Sequence, residues 1–288
     1  MKGDFLSMKS YCIKTNNEKI INYLLNKIEN INFDNIYYCD KEFKIYRNVF
    51  IHYVGTNTDA FINFVTELIS DTIMEFYEEK VITRIVNSNY FYFDEYEKKI
   101  ILDNCREYSK MELENKKEKL YVAVKEYLKE NRAIVLDGMV NFRIKEYIKI
   151  LDNIVDMSVN QYIIEKEYTE FINLLKIYVN QSEPGVKLLH LIYMNGESIL
   201  LDEEKNMVSL SENIFNAKYL SDITFSSNDF ALNTLLSMLP QKLEIHLIDE
   251  EDEFINTLKL IFEDRIYICK DCNICKTYRM IHHAKILN

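Results

Sequence analysis

Three cysteines separated by two residues each, Cys269, Cys272 and Cys275, are the side chains of this 288-residue chain best placed by spacing to do chemistry. A tight knuckle between two such cysteines turns both thiolates toward one ion, which is why structural zinc sites use this spacing. Three sulfurs leave a tetrahedral zinc one ligand short. His282, His283 or one of the distant cysteines Cys12, Cys39 and Cys105 could complete the set. An iron–sulfur cluster fits less well, because the bacterial ferredoxin run needs a fourth cysteine followed by proline. Thiol–disulfide chemistry is a third option, since a Cys-x-x-Cys pair at a helix start has its thiol acidified by the helix N-terminus. Its thioredoxin-like form also needs a cis-proline facing the cysteines, a demand that falls on Pro184 or Pro240. The ordinary alternative is a group of packed thiols at a strand end with no ligand at all.

Two further polar residues stand in apolar settings. Arg143 follows Phe142 at the start of a strongly apolar helix face, where a buried guanidinium needs a partner such as Glu146, Asp156 or Glu167; a ligand contact is the alternative. His190 lies between Leu189 and Leu191 in a strand pattern, so alternation places it on the face opposite both. A hydrogen-bonded structural role is its simplest reading, and a base or ligand role the other. His52 and His246 occupy similar strand settings without an acidic or cysteine partner nearby in sequence. Asp152, Asp156, Glu165, Glu167 and Glu170 lack the Glu-x-x-His pairing of di-iron bundles, and alternate with Lys and Tyr as a wet face does. The chain has no nucleophile elbow, P-loop, G-x-G-x-x-G or H-E-x-x-H, and with five glycines few phosphate-cradling loops can be built. No catalytic residue is assigned, and the sequence leans away from an enzyme.

Composition narrows the partners. A formal net charge of -11 opposes a phosphate-neutralising surface and adhesion to anionic lipid, so neither nucleic acid nor membrane is expected. Met1 to Ser10 holds no apolar stretch of signal-peptide length, and no window approaches a spanning helix, so a cytoplasmic protein is expected. The six cysteines then read as thiols or ligands. The aromatic run Tyr90-Phe91-Tyr92-Phe93 is flanked by Asp94, Glu95 and Glu97, which suits packing or a protein partner better than stacked bases.

The elements that must position these residues follow from periodicity. Ser10–Thr15 reads as a strand, Ile20 to Ile28 as a helix face, and Asn35–Cys39 with Phe43–Val54 as two strands. Thr58–Arg84, Asp94–Cys105 and Ser109–Asn131 read as helices, the last two with mixed charges suited to solvated faces. After a break near Gly138, Asn141–Val179 reads as one long helix or two with a kink near Glu165. Ser182-Glu183-Pro184-Gly185 ends it. Beyond, Val186–Tyr193 and Ser198–Leu201 form a hairpin about Asn195-Gly196. Strand Ile223–Phe225, helix Asn228–Leu239, strand Lys242–Ile248, helix Glu251–Glu263 and strand Arg265–Cys269 then alternate, as a partly parallel sheet with crossovers does.

Phe142-Arg143, Lys145-Glu146-Tyr147, Leu151, Val155-Asp156, Val159, Glu165-Lys166-Glu167-Tyr168, Glu170-Phe171-Ile172, Leu174-Leu175-Lys176, Tyr178-Val179, Gln181 and Leu189-His190-Leu191 together resemble the YtxC-like sporulation protein family. The likeness runs from about Met8 to Cys275 and is dense from Gly138 to Leu191; Cys269 and the cysteines after it sit where such proteins carry a cysteine-containing tail. It implies a sporulation-associated protein of endospore-forming bacteria and brings no catalytic residue set. The expected fold is α+β: an N-terminal α/β segment (8–90), a helical middle (91–181), and a C-terminal mixed sheet with crossover helices and a Cys-rich tail (182–288). The expected function is a non-enzymatic one exercised through protein–protein contacts; the alternative is zinc binding or thiol redox chemistry at Cys269, Cys272 and Cys275.

Overall fold

The computed structural model describes residues 7–31, 33–208, 226–269 and 271–286. The fold is α+β and divides into two units, Met1–Ile164 and Glu165–Asn288. In the first, strands β1 (Ser7–Thr15), β2 (Ile36–Glu42), β3 (Arg47–Gly55) and β4 (Ala133–Val135) form a mixed sheet in the order β2-β3-β1-β4. β1 pairs antiparallel with β3 and parallel with β4. Helices α1 (Glu18–Glu29), α2 (Thr58–Asn89), α3 (Glu95–Met111), α4 (Leu113–Glu130) and α5 (Leu136–Phe142) accompany it, and the first half of α6 (Lys145–Gln181) completes the unit. Starts are set by side chains that accept orphan backbone N–H groups: Asn17 for α1, Asn57 for α2, and an Asp94/Glu97 capping box for α3. The apolar stripes of α1, α2, α4 and α6 bury Leu24, Val65, Ile69, Leu120, Val124, Leu151 and Val155 in one core with Ile13 and Ile51 of the sheet.

Local differences from the sequence reading have local causes. Gly138 lies inside α5, so the break falls earlier, at Asn131 and Arg132, where three residues pair as β4 with β1 far back in the chain. A three-residue strand has no period to read. α6 is continuous through Glu165. Strand Ile223–Phe225 lies outside the described residues. The charged face expected of Ser109–Asn131 is not wet throughout, because Lys116 is buried against Glu78.

In the second unit, β5 (Val186–Met194), β6 (Glu197–Leu201), β7 (Pro240–Leu247) and β8 (Ile266–Cys269) form a mixed sheet in the order β6-β5-β7-β8. β5 and β6 are an antiparallel hairpin; Asn195 and Gly196, at φ 55° and 73°, supply the left-handed turn that matches strand twist. β7 and β8 add in parallel, their connections carrying helices α7 (Ser227–Met238) and α8 (Glu253–Phe262), with a 3₁₀ turn Glu263–Arg265 after α8. A further helix, α9 (Asn273–Ile286), follows β8. Arg265 donates to the backbone oxygens of Val179 and Pro240, tying the end of α6 to the sheet. One sheet face, with Leu189, Leu191, Leu243, Ile245 and Ile268, packs into an apolar core with α7 and α8. The other face carries the polar residues of interest. Among the described residues no helix is long and apolar enough to cross a membrane.

Candidate metal centre

Strand alternation assembles the site. Residues 189, 191, 243, 245, 266 and 268 face the apolar core, so His190, Glu244, His246 and Cys269 fall on the opposite face of the same sheet. His246 on β7 is directly opposite Cys269 on β8, at the carboxyl ends of two parallel strands. Open α/β sheets commonly bind ligands at such ends. The chain then turns and starts α9, and that first turn presents Cys272 and Cys275.

Four side chains converge. His246 Nδ1 lies 3.4 Å from Cys272 Sγ and 3.5 Å from Cys275 Sγ. Cys275 Sγ lies 3.7 Å from Cys272 Sγ and 3.8 Å from Cys269 Sγ. All four ligand atoms lie within 4.8 Å of one another. These separations are far longer than the ~2.05 Å of a disulfide, and the cysteines are free. A single tetrahedral zinc with Zn–S near 2.3 Å demands sulfur–sulfur edges of about 3.8 Å and sulfur–nitrogen edges of about 3.6 Å. Four of the six edges, those among His246, Cys272 and Cys275 and that between Cys269 and Cys275, have about those lengths. A multi-iron cluster spreads its thiolates around several irons, so single-ion edges do not suit one. Every peptide bond among the described residues is trans, so neither Pro184 nor Pro240 supplies the facing cis-proline of the thioredoxin-like arrangement.

The electrostatics point the same way. His246 and Cys275 are essentially inaccessible, Cys269 is buried and Cys272 partly exposed. Burial, and then the neighbouring Cys272 and Cys275, push the Cys269 thiol up to about 12. Burial also raises Cys272, but the Cys275 backbone N–H, the Cys269 and Cys275 thiols and the Ile274 N–H overcome it and pull the thiol below its ordinary value. Burial, followed by the adjacent His190, lowers His246 and keeps its imidazole neutral, the form that binds metal. A buried trio of thiols cannot ionise together without a counter-charge; a divalent cation supplies it and deprotonates its ligands outright.

Of the residues singled out by sequence, the three cysteines come together and His190 stands beside them. It is 6% exposed, and its Nδ1 lies 3.1 Å from His246 Nε2 and 3.6 Å from Glu244 Oε2. Arg143 is elsewhere. It is exposed at the C-cap of α5, with its guanidinium 6.0 Å from the centroid of the Tyr127 ring. Cys12 and Cys105 are buried in the first unit, and Cys39 is exposed on β2. The side chains of His282 and His283 lie outside the described residues. The residue that sequence reasoning missed is His246, 23 positions before Cys269 and its neighbour only through β7–β8 pairing. The signal available was topological: strands flanking a crossover helix become adjacent, and both residues lie near the carboxyl ends of their strands. A groove of about 850 Å³ in the first unit, lined by Glu78, Ser109 and Lys116 among others, contains neither Arg143 nor His190.

The model of the YtxC-like family matches residues 63–267, which includes His190, Glu244 and His246 and stops before the three cysteines. The "Uncharacterized protein YtxC" of Bacillus subtilis (strain 168) is 23% identical over 125 residues, 43% of this chain and 44% of that protein. The chain therefore spans less than half the length of this curated relative. No solved structure matches. With the family model covering well over half of its length, the chain belongs to the YtxC-like family.

Proposed function

We propose that the second unit binds one zinc ion through His246 Nδ1, Cys269, Cys272 and Cys275, and that the ion's role is structural. The observation that carries this is the set of four donor separations, 3.4, 3.5, 3.7 and 3.8 Å, which match four of the six edges of a tetrahedron around one zinc, with all four donor atoms within 4.8 Å of one another. Four protein ligands close the coordination sphere, whereas catalytic zinc keeps a position open for water or substrate. The ion would tie the first turn of α9 to the ends of β7 and β8. No reaction is assigned to the centre. Elemental analysis of anaerobically purified protein tests the reading beside a Cys272→Ser/Cys275→Ser variant. Near-stoichiometric zinc that the variant lacks is expected. No metal in either, with equal thermal stability, overturns it.

A wider role in sporulating cells, through contacts with a protein partner, rests on the family resemblance and on one further observation. The second half of α6 leaves Phe171, Leu174 and Ile177 at least half exposed. Apolar side chains gathered this way on one helix mark interaction surfaces more often than isolated ones do. Photocrosslinking from position 171 in the sporulating host, with a probe at Glu170 as control, is expected to give a defined adduct from the first only. Equal adducts, or none, remove the reading.

A further inference from the structure

The zinc reading uses one ring nitrogen of His246 and leaves the other to be explained. Nδ1 faces the cysteines, while Nε2 points across the sheet to His190 Nδ1 at 3.1 Å. The two rings lie 5.2 Å apart at 30° to each other, and both are buried. The pairing is diagonal: the residue directly opposite His246 on β5 is Ile192, and His190 is opposite Glu244.

A neutral imidazole bound to an ion through Nδ1 must carry its proton on Nε2. That N–H is buried here, and a buried donor without an acceptor costs about 1–3 kcal/mol. We infer that His190 is a positioning residue for the zinc centre, its Nδ1 accepting the His246 Nε2–H and so fixing the ring in the tautomer that aims a lone pair at the three sulfurs. This rests on the zinc reading and deepens it. With Nδ1 as acceptor, the proton of His190 resides on its own Nε2. The Glu244 carboxylate, at 3.6 Å from His190 Nδ1, is outside hydrogen-bond reach. It is not the acceptor of the His246 N–H, which leaves that part to His190. His190, Glu244 and His246 could also hold a cation of their own, but that would strip the Nε2 proton from His246. A 3.1 Å nitrogen–nitrogen contact is already a satisfied hydrogen bond.

Zinc affinity, measured by competition with a chromophoric chelator, tests the inference in the wild type, His190→Asn and His190→Leu. Asparagine offers Oδ1 close to where Nδ1 was; leucine offers no acceptor. His190→Leu is expected to lose affinity by roughly 10–100-fold, as removal of outer-shell partners commonly does, and His190→Asn to retain most of it. Nitrogen-15 NMR of the zinc-loaded wild type is expected to show His246 protonated at Nε2 and His190 bare at Nδ1. This readout stands even if the leucine variant fails to fold. Equal affinities in all three proteins, equal losses in both variants, a protonated His190 Nδ1, or a second equivalent of zinc bound would each overturn it. A wild type that takes up no zinc sinks the zinc reading itself, a result distinct from all of these.

Discussion

At the scale of single residues, the first unit contains a charge that its sequence setting disguises. Lys116 sits in a run of Lys and Glu that has the composition of a wet helix face, yet it is 2% exposed and donates to Glu78 Oε1 at 2.6 Å. Glu78 also accepts from Ser109 and, at 2.5 Å, from the Tyr147 hydroxyl. Burial, and then the Glu78 charge, push the Tyr147 phenol far above its ordinary range, so Tyr147 stays a neutral donor. Breaking a buried pair from one side leaves an uncompensated charge, which costs more than the intact pair contributes. Lys116→Ala is therefore expected to destabilise the first unit by about 3–5 kcal/mol in urea unfolding. Lys116→Met with Glu78→Gln should recover most of that loss, since the amide still accepts from Tyr147. Equal losses in both variants would show that packing of the lysine stem, and not its charge, holds the site. The same limit on legibility governed the candidate metal centre. Cys269, Cys272 and Cys275 announce themselves by spacing. His246 is separated from them by an entire crossover helix, and only strand pairing brings it near.

Elements were most legible where a long apolar period or a strong turn signal exists. The hydrophobic stripes of α1, α2 and α6, and the Asn195-Gly196 hairpin, follow from the sequence because local chemistry decides them. β4 and α9 do not. The first is three residues long and held by a partner more than a hundred residues earlier; the second, NICKTYRMIHHAKI, mixes polar and apolar residues without a long apolar stripe. Gly185 marks a case where the sequence signal is right and its reason is tertiary. Ser182-Glu183-Pro184-Gly185 reads as a break, but the glycine is needed because a Cβ there would meet the Met238 carbonyl oxygen at 2.7 Å. Its N–H also donates to the Leu239 carbonyl oxygen at 3.0 Å, so the two segments cannot easily part. Gly185→Ala is expected to destabilise the second unit by about 1–3 kcal/mol, the usual cost of overpacking against an unyielding neighbour. Thermal unfolding checks it, and a variant as stable as wild type would mean the β5–β7 junction can shift at little cost.

For the whole molecule, the two units rest on different physical bases. The first gathers several long helices and a sheet over one extended apolar core. The second has a smaller apolar core among the described residues, between one sheet face and helices α7 and α8. On the other face, β7, β8 and the first turn of α9 meet around His246, Cys269, Cys272 and Cys275. An ion that binds only the folded unit stabilises it by mass action, about 4 kcal/mol when free zinc is a thousandfold above Kd. Removing the metal with a chelator under reducing conditions is therefore expected to raise amide exchange in β8, the end of β7 and the start of α9. Exchange in α1, α2 and β1 should be unchanged. The asymmetry matters, because a chelator acting as a general perturbant would loosen both units. Exchange rising equally in both, or in neither, would mean that α9 is held by packing and that the cysteines beneath it are only buried thiols. A rise confined to the second unit, reversed by adding zinc back, would make the metal the element that completes a sheet whose polar face cannot hold its own helix.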